Sequence, residues 1–383
     1  MKITGIQTLR LSRMHDVADQ WFTLKYRSIK ADGAIVVIAT DEGLTGIGEA
    51  CAYGGPTLIG DWVDFLSPGL IGRNPLDPTL APHPNGRSRA YDTAVAGIDT
   101  ALWDLRAKAA GVRVSTLIAG AAAADRVTLY ASGGCRFDWG GRPEQLIDEI
   151  VGYIDAGYSA AKVRMGLEWA WDGVTVDRYL GLMAELMQTV AGRITVMVDG
   201  NQRLSFDDAM QVAKGLDRLG IGWFEEPLPQ DDVEGYARLN ASVAMPITGG
   251  ERLTTVEQCR PYLERRSFDI IQPDAGVCGI TELLRIAEMA ERHHVDLAPH
   301  NWHNGLMTMA NCHVVAAVSN AHVQELCQHQ GPLQWGILAD PPAIHGGTLH
   351  LPDAPGLGVR LAERLEERFP YVEGHYAIEI ERA

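Results

Sequence analysis

Hydrophobic residues recur along most of the chain in short runs, separated by stretches in which apolar positions repeat at helical spacing. Eight such runs follow residue 126, and each is short enough to be a strand buried on both faces. The predicted strands are Val127–Ala131, Ala160–Met165, Ile194–Val198, Gly222–Phe224, Met245–Thr248, Phe268–Gln272, Val295–Ala298 and His322–Leu326. Helices are expected in most gaps, for example after Ser205, a suitable N-cap residue. This alternation predicts an α/β barrel of the TIM type with right-handed crossovers.

The pattern before residue 126 is different and predicts an α+β arrangement. Ala34–Ala39 and Leu44–Ala50 are predicted strands, joined at residues 40–43 by a hairpin turn. The segment 14–28 has no clean period and predicts a long loop, of the kind that often acts as a lid.

One long helix is predicted over residues 88–110, where apolar residues recur at helical spacing and Gly111 is placed to end the helix. Asp99 and Asp104 lie on this helix. We interpret them as surface or capping carboxylates, since most acids on a packed helix have no catalytic role.

These patterns predict three parts of the chain. Residues 1–125 form an α+β capping domain, 126–345 a (β/α)7β barrel, and 346–383 a C-terminal segment that packs back on the capping domain. The alanine-rich run at 120–125 is the expected hinge between the first two parts.

Charge and cysteine content narrow the classes of function. A net charge of −16 argues against a nucleic-acid or anionic-membrane surface, although it permits an anionic substrate where a metal reverses the local potential. The six cysteines are scattered and form no CxxC pair, which favours a reducing cytoplasm. No signal core and no membrane-spanning apolar stretch are evident.

Three of the predicted barrel strands are followed by an acid, namely Asp199, Glu225 and Glu251. Strand ends of a parallel barrel meet at its carboxyl-terminal mouth, so these carboxylates are expected to converge there. Three converging carboxylates require a cation, and ligands that are all oxygen favour Mg²⁺ over Zn²⁺. Glu226 is expected beside this site, as a supporting group or a substrate contact.

Five more polar residues are expected at the same mouth. Lys162 and Arg164 share one face of a predicted strand, because side chains alternate with period two. Asp274 and His300 follow two neighbouring strands, so the carboxylate can hold the imidazole tautomer and raise its basicity. Glu325 lies at the end of the last strand, where it can contact a substrate.

The order Lys-x-basic, Asp, Glu, Glu, Asp, His and Glu on successive strands resembles the enolase superfamily, and within it the mandelate racemase subgroup. The motifs GLTGIGEA and GIDTALWDLRAKAAG resemble the capping domain of that family. The resemblance covers nearly the whole chain and implies a modified (β/α)7β barrel. It also implies a homo-oligomer and a reaction that removes the proton α to a carboxylate, giving an enediolate stabilised by Mg²⁺.

Carried over by position, the resemblance implies that Asp199, Glu225 and Glu251 bind the metal. It implies that His300 is the base and Asp274 its dyad partner. Lys162 would then stabilise the substrate carboxylate and the enediolate, and Glu325 would hydrogen-bond the substrate.

Arg164 departs from the common pattern, because many members have lysine at this position. Arginine keeps its proton and cannot normally act as a base. Racemisation needs a base on each face of the reacting carbon, whereas β-elimination of water needs only His300. We therefore expect a lyase of carbohydrate acid catabolism, a dehydratase that converts an aldonate or aldarate to a 2-keto-3-deoxy sugar acid.

Further residues are expected to contact a small-molecule sugar acid. They are Asn201, Trp302, His303, Tyr53 and Trp21, together with Tyr26. Alternatives that use the same enediolate are an epimerase or racemase and a sugar-lactone cycloisomerase. A non-catalytic metal-binding scaffold is a different class, and a zinc hydrolase would require histidine ligands that the predicted metal site lacks.

Overall fold

The computed structural model describes residues 1–22, 26–137, 139, 142–166 and 173–379. Its strands are β1 (Ile3–Met14), β2 (Trp21–Phe22), β3 (Tyr26–Ser28), β4 (Lys30–Thr40), β5 (Thr45–Ala50), β6 (Arg126–Gly133), β7 (Ala160–Arg164), β8 (Thr195–Asp199), β9 (Phe224–Glu225), β10 (Ile247–Gly249), β11 (Ile270–Ile271), β12 (Asp296–Leu297), β13 (Val323–Cys327), β14 (Ala343–His345), β15 (Thr348–His350) and β16 (Ala377–Glu379). Its α-helices are α1 (Pro56–Leu66), α2 (Arg89–Ala110), α3 (Val114–Ala119), α4 (Gln145–Asp155), α5 (Val176–Val190), α6 (Phe206–Leu219), α7 (Val233–Asn240), α8 (Val256–Glu264), α9 (Ala275–Arg292), α10 (Gly305–Val315), α11 (Leu333–Gly336) and α12 (Leu365–Arg368).

A parallel barrel forms the larger part of the molecule. Strands β6 to β12 pair side by side in chain order, and β13 pairs in parallel with β6. A parallel bridge between Leu297 and Ala321 joins β12 to the segment before β13 and so closes the ring. Helices α4 to α10 lie between successive strands along the chain, which confirms the predicted (β/α)7β barrel.

A three-stranded antiparallel sheet, in the order β1-β4-β5, forms the core of the N-terminal part. The predicted hairpin is present, with β4 and β5 paired from Ala34–Ala50 to Ala39–Thr45. Helix α2 packs so closely on β5 that the strand position facing Ala101 has no room for a side chain. A Cβ atom at Gly46 would lie 2.1 Å from the Ala101 carbonyl oxygen, so only glycine allows this close approach.

The predicted boundaries of α2 are confirmed. Ser88 caps its first turn by accepting a hydrogen bond from the Tyr91 amide, and Gly111 ends it in the left-handed conformation at φ 68°. Asp99 acts as a capping group, because it accepts from the Thr281 amide where α9 resumes after Gly279. Asp104 caps none of the described helices and instead pairs with Lys108 (2.6 Å), and both acids are buried and do not lie on the surface. The expectation of surface exposure was wrong because both acids face other parts of the chain.

Buried carboxylates join the N-terminal part to the barrel. Asp99 accepts hydrogen bonds from the Thr281 amide (2.8 Å) and hydroxyl (2.6 Å), just after α9 is broken at Gly279. Glu49, in the GEA tripeptide that ends β5, accepts from the Met307 amide (3.0 Å) in the first turn of α10. Each carboxylate satisfies amide groups at a helix start that would otherwise be buried without a partner.

The segment 14–28 is not simply a long loop. It contains β2 and β3, which form a small sheet with β16 in the order β16-β3-β2. Local sequence does not reveal these strands, because their pairing partner lies about 350 residues further along the chain, with Ala377 opposite Ser28. Thr23–Lys25, in the same predicted loop, lie outside the described residues.

The C-terminal segment returns to the N-terminal part through this pairing, and an antiparallel bridge between Leu11 and Pro370 joins it to the sheet β1-β4-β5. The hairpin β14–β15 adds antiparallel to the start of β6. The boundaries proposed for the three parts stay predictions. All six cysteines are free and buried. No helix among the described residues has the length and apolar character needed to cross a membrane.

Candidate active site at the carboxyl ends of the barrel strands

The first four predicted site residues are aligned by the register of the barrel strands. Arg164 on β7 lies opposite Asp199 at the end of β8, and Asp199 lies opposite Glu225 at the end of β9. Lys162 lies two residues before Arg164, on the same face of β7. Strand pairing alone therefore places two cations and two carboxylates at one edge of the sheet.

The remaining predicted residues reach the same region from the other strand ends. Glu251 lies two residues beyond β10, Asp274 is the N-cap of α9, His300 lies three residues beyond β12, and Glu325 lies within β13. Their side chains are nearly all buried, with Glu251 the most exposed at 16%. The structure thus brings these residues together in the interior of the barrel mouth.

Asp274 and His300 form the expected hydrogen-bonded pair. The Nδ1 atom of His300 lies 2.9 Å from Oδ2 of Asp274. The other carboxylate oxygen, Oδ1, accepts hydrogen bonds from the Gly276 amide (2.9 Å) and from Asn311 Nδ2 (3.1 Å). Because Asp274 is held at both oxygens, it orients the imidazole with Nδ1–H donating and Nε2 directed away from it.

The Nε2 atom of His300 lies 3.4 Å from Oε2 of Glu251. Burial alone would lower the pKa of His300, but the negative charges of Glu251, Glu325 and Asp274 outweigh burial and raise it to about 10. In this arrangement the imidazole holds a proton between two carboxylates. Accepting a proton from a substrate requires the charge of Glu251 to be balanced or moved away from Nε2.

Lys162 lies between two buried glutamates. Its Nζ atom is 2.5 Å from Oε1 of Glu225 and 2.8 Å from Oε1 of Glu325. Burial opposes the charge of Lys162, but these two carboxylates outweigh burial and raise its pKa well above the ordinary value. Lys162 is therefore a fixed positive charge at the centre of the acid cluster.

The oxygens of the three predicted metal ligands bond to different groups. Asp199 accepts from the amide and Nδ2 of Asn201 (2.8 Å each), and Glu225 accepts from Lys162 and from Gln272 Nε2 (2.6 Å). Burial and the charge of Asp199 raise the pKa of Glu225 to about 7 although Lys162 acts in the opposite direction. The donor set fits a hard divalent cation, since it is all oxygen and a cation would stabilise its charged form. Binding of one ion by all three acids requires the contacts of Glu225 with Lys162 and of Glu251 with His300 to change.

A tighter group of metal-type ligands lies next to them. Among the described residues, the ligand atoms of Asp274, His300 and His303 all lie within 4.8 Å of one another. Sequence reasoning did not anticipate this set, which contains the nitrogen ligands that zinc prefers. His300 Nδ1 is already hydrogen-bonded to Asp274, however, and this bond is typical of a base with its orienting carboxylate.

A cavity of about 340 Å³ lies above these buried groups. Four of the predicted substrate contacts line it, namely Trp21, Tyr26, Tyr53 and Asn201. Arg164 and Glu251 form part of its wall and connect it to the buried cluster. The volume lies in the usual range for a small-ligand pocket.

Trp302 and His303, predicted as substrate contacts, lie behind the cavity wall. Trp302 is only 1% exposed, and its ring centroid lies 4.3 Å from the guanidinium carbon of Arg164 and 5.3 Å from the ring of Trp21. His303 packs against Tyr53 with ring centroids 5.0 Å apart. The geometry gives them supporting positions behind residues that do line the cavity.

Comparison with protein families now agrees with this geometry. Residues 145–365 match the family model described as enolase C-terminal domain-like. Residues 22–119 match the N-terminal domain of mandelate racemase and muconate lactonizing enzyme. The chain belongs to the enolase superfamily. It falls in the mandelate racemase subgroup, as the order of its site residues predicted.

The similarity to known proteins covers almost the full length of this chain. The chain is 32% identical to the D-galactonate dehydratase of Pectobacterium atrosepticum, covering 95% of this chain and 93% of that protein. It is 28% identical to the D-galactarolactone cycloisomerase of Agrobacterium fabrum, covering 94% and 97%. A solved structure of an enolase superfamily member from Polaromonas sp. superimposes with a TM-score of 0.86 at 30% identity, covering 98% and 99%.

The superfamily assignment has two direct consequences. The chain is an enzyme, and its dehydratase relatives place it in the lyase class. Members of the superfamily bind a divalent metal, which agrees with the all-oxygen donor set of Asp199, Glu225 and Glu251.

Sequence reasoning missed four of the residues that line the cavity described above. They are Arg89, Arg252, His375 and Tyr376. The position of Arg252 directly after Glu251 is a usable signal, because that residue also follows a barrel strand. Arg89 is the first residue of α2, and nothing in the local sequence indicates that its side chain faces the cavity. His375 and Tyr376 reach the cavity only because β16, which follows them, pairs with β3.

Proposed function

We propose that this enzyme is a Mg²⁺-dependent dehydratase of an acid sugar, an aldonate or an aldarate. It abstracts the proton α to the carboxylate and eliminates the 3-hydroxyl as water, giving a 2-keto-3-deoxy sugar acid. The observation that carries the proposal is the single hydrogen-bonded base, His300 with Asp274, in a site whose other basic position is an arginine.

Arg164 is held as a permanent cation. Its guanidinium carbon lies 4.3 Å from the ring centroid of Trp302 and 5.5 Å from that of Trp21, and Nε lies 3.6 Å from Oδ2 of Asp199. Burial alone would lower its pKa, but Cys135 and Asp199 outweigh burial and raise it above the ordinary value. Arg164 therefore binds and orients substrate oxygens, and it does not remove a proton.

His300 carries out both proton transfers in this proposal. Neutral His300 accepts the α-proton at Nε2, while Nδ1–H continues to donate to Asp274. The imidazolium then gives the proton to the 3-hydroxyl, whose C–O bond breaks as the C2–C3 double bond forms. Water leaves, and the resulting enol becomes the 2-keto acid. One residue on one face of the substrate is sufficient for this sequence.

Lys162 supplies the fixed positive charge that the substrate carboxylate requires. Loss of the α-proton places additional negative charge on the carboxylate oxygens, and a cation at that position stabilises the charge. The bonds of Lys162 to Glu225 and Glu325 fix its ammonium group in place. Glu325 also accepts a hydrogen bond from the Asn301 amide (2.7 Å), next to the base.

Asp199, Glu225 and Glu251 would hold the Mg²⁺ ion. When bound, the ion supplies Lewis-acid stabilisation of the substrate carboxylate and balances the negative charge of these three acids.

The proposal is tested by incubating the purified enzyme and Mg²⁺ with a panel of aldonates and aldarates, and assaying for 2-keto-3-deoxy acids as semicarbazones. We expect one or a few closely related sugar acids to give this product. Asp274→Asn should give none at the same enzyme concentration, and His294→Asn, an exposed position, should behave as the parent enzyme. A product that is only an epimer of the substrate would contradict the proposal.

A sugar-lactone cycloisomerase is the second candidate. The named cycloisomerase relative favours it, and the same single base can serve a reaction on one face of the substrate. The two candidates separate in one assay, since sugar lactones added to the panel would be consumed only under the second candidate. Racemisation and epimerisation are disfavoured by the fixed charge of Arg164.

A further inference from the structure

We propose that the outer part of the cavity is an anion-binding subsite, built by Arg89 and Arg252, which binds a second anionic group of the substrate. This inference rests on the proposed function and narrows its substrate class to sugar dicarboxylates, the aldarates. The subsite is separate from the inner cations Lys162 and Arg164, which serve the carboxylate next to the reacting carbon.

The charge of the cavity wall is opposite to that of the protein. Three arginines line the cavity, and Glu251 is the one acid among the lining residues that the structure describes. The chain as a whole has 49 acidic and 33 basic residues and a net charge of −16. A positive cavity in so acidic a protein attracts an anionic ligand and discriminates against neutral sugars.

Arg164 belongs to the inner site, which leaves Arg89 and Arg252 for another group. Arg89 has no carboxylate within 4.0 Å among the residues of the described ranges, and its guanidinium carbon lies 5.7 Å from the ring centroid of Tyr53. Arg252 is about half exposed and lies 3.6 Å from Glu251, the acid at the cavity wall. Arg89 also hydrogen-bonds the Cys51 thiol, which leaves its charge without an acid partner among the described residues. Arg252 is paired with Glu251 through Nε, so its terminal nitrogens can bind a ligand carboxylate in the planar, bidentate manner that arginine favours.

Tyr376 lines the same cavity as the two arginines. Its backbone is fixed, because its carbonyl oxygen accepts hydrogen bonds from the amides of Ile29 (2.9 Å) and Lys30 (3.3 Å). Its ring lies 4.9 Å from that of Tyr53, over which Arg89 extends.

Electrostatics at Tyr376 agree with this placement. Burial raises the pKa of the Tyr376 hydroxyl, and the charges of Arg164, Arg89 and Arg252 act in the opposite direction. Tyr376 and all three arginines line the same cavity. A ligand that fills this cavity contacts Arg164, which belongs to the inner site, and can also reach Arg89 and Arg252 in the same wall.

Matched sugar acids provide the test, since each aldonate and its aldarate differ only in the terminal CH2OH or carboxylate. Binding is measured by calorimetry with Mg²⁺ on the His300→Asn variant, so that turnover does not interfere. Glucarate and gluconate, galactarate and galactonate, and xylarate and xylonate form the panel. We expect at least one aldarate to bind about tenfold or more tightly than its aldonate, the usual contribution of a charged hydrogen-bonded pair.

Adding Arg89→Gln should remove most of that preference and change the Kd of the matched aldonate less than about threefold. Arg89→Lys should keep part of it, because charge remains but the planar fork is lost. Arg252→Gln should act in the same direction. Arg260→Gln, on the exposed face of α8, is the matched control and should leave the preference unchanged.

Equal affinity for every matched pair, equal weakening of both acids by Arg89→Gln, or no binding of any pair would each overturn the subsite. The test of the subsite and the test of the proposed function can succeed or fail separately. Dehydration of aldonates without preference for aldarates would support the function and overturn the subsite. A retained aldarate preference in an enzyme that eliminates no water would do the reverse.

Discussion

Replacing His300 with asparagine is expected to lower kcat by about 10³-fold, the usual range for loss of a general base that also serves as the acid. Asparagine can still donate a hydrogen bond to Asp274, so the buried carboxylate keeps a partner and the fold should be retained. Steady-state assay of the sugar acid identified in the panel measures the loss, and circular dichroism measures the fold.

His294→Asn is the matched control, because His294 is exposed and lies at φ 56°, a left-handed conformation that asparagine also tolerates. It should retain full activity. A His300→Asn enzyme within about threefold of the parent would remove the base from the mechanism. Unchanged Mg²⁺ binding by the inactive variant would assign the loss to proton transfer and not to the metal site, and it would agree with the assignment as an enzyme over the non-catalytic metal-binding scaffold.

Replacing Lys162 with methionine is expected to reduce both activity and stability. Methionine is similar in length but leaves Glu225 and Glu325 buried without their cation, and breaking a buried ion pair in this way typically costs about 3–5 kcal/mol of the free energy of unfolding. Activity should fall by about 10²-fold or more, because the developing charge on the substrate loses a fixed donor. Urea unfolding and steady-state kinetics measure the two effects.

Lys214→Met is the control for this second substitution, since Lys214 is an exposed residue on α6. It should change the free energy of unfolding by less than about 0.5 kcal/mol. If Lys162→Met matched this control in both stability and activity, the central ammonium would have no part in the site. Loss of stability without loss of activity would restrict Lys162 to a structural role.

The barrel and its site were predictable because both depend on local pattern. An apolar run followed by an acid marks a strand end, and strand ends of a parallel barrel meet at one mouth. That reasoning placed Asp199 and Glu225 correctly at the ends of β8 and β9. It also placed Asp274 and His300 within hydrogen-bond distance, although 26 residues separate them.

Contacts between distant segments were not predictable in the same way. Asp104 on α2 accepts hydrogen bonds from the amides of Ile47 (2.9 Å) and Leu357 (2.8 Å). Its burial therefore depends on two segments that are distant from it and from each other in the sequence. The strands within 14–28 require a partner near the C-terminus. The outer wall of the cavity also combines distant segments, since α2 provides Arg89 and the C-terminal segment provides Tyr376.

The positions of the acid oxygens were also beyond sequence reasoning. Pattern placed the three carboxylates in one region but could not show that Glu225 bonds to Lys162 while Glu251 approaches His300. These pairings follow from which cation lies nearest to each buried acid. They also explain why the pKa of His300 is raised, a shift that the order of residues along the chain does not reveal.

The most direct test of the central claim is to run the reaction of the identified sugar acid in D₂O with Mg²⁺ and follow the substrate and product by ¹H NMR. Removal of the α-proton by His300 followed by elimination predicts a 2-keto-3-deoxy acid with deuterium introduced at C3. Substrate that exchanges or inverts at C2 and never loses water would contradict the claim.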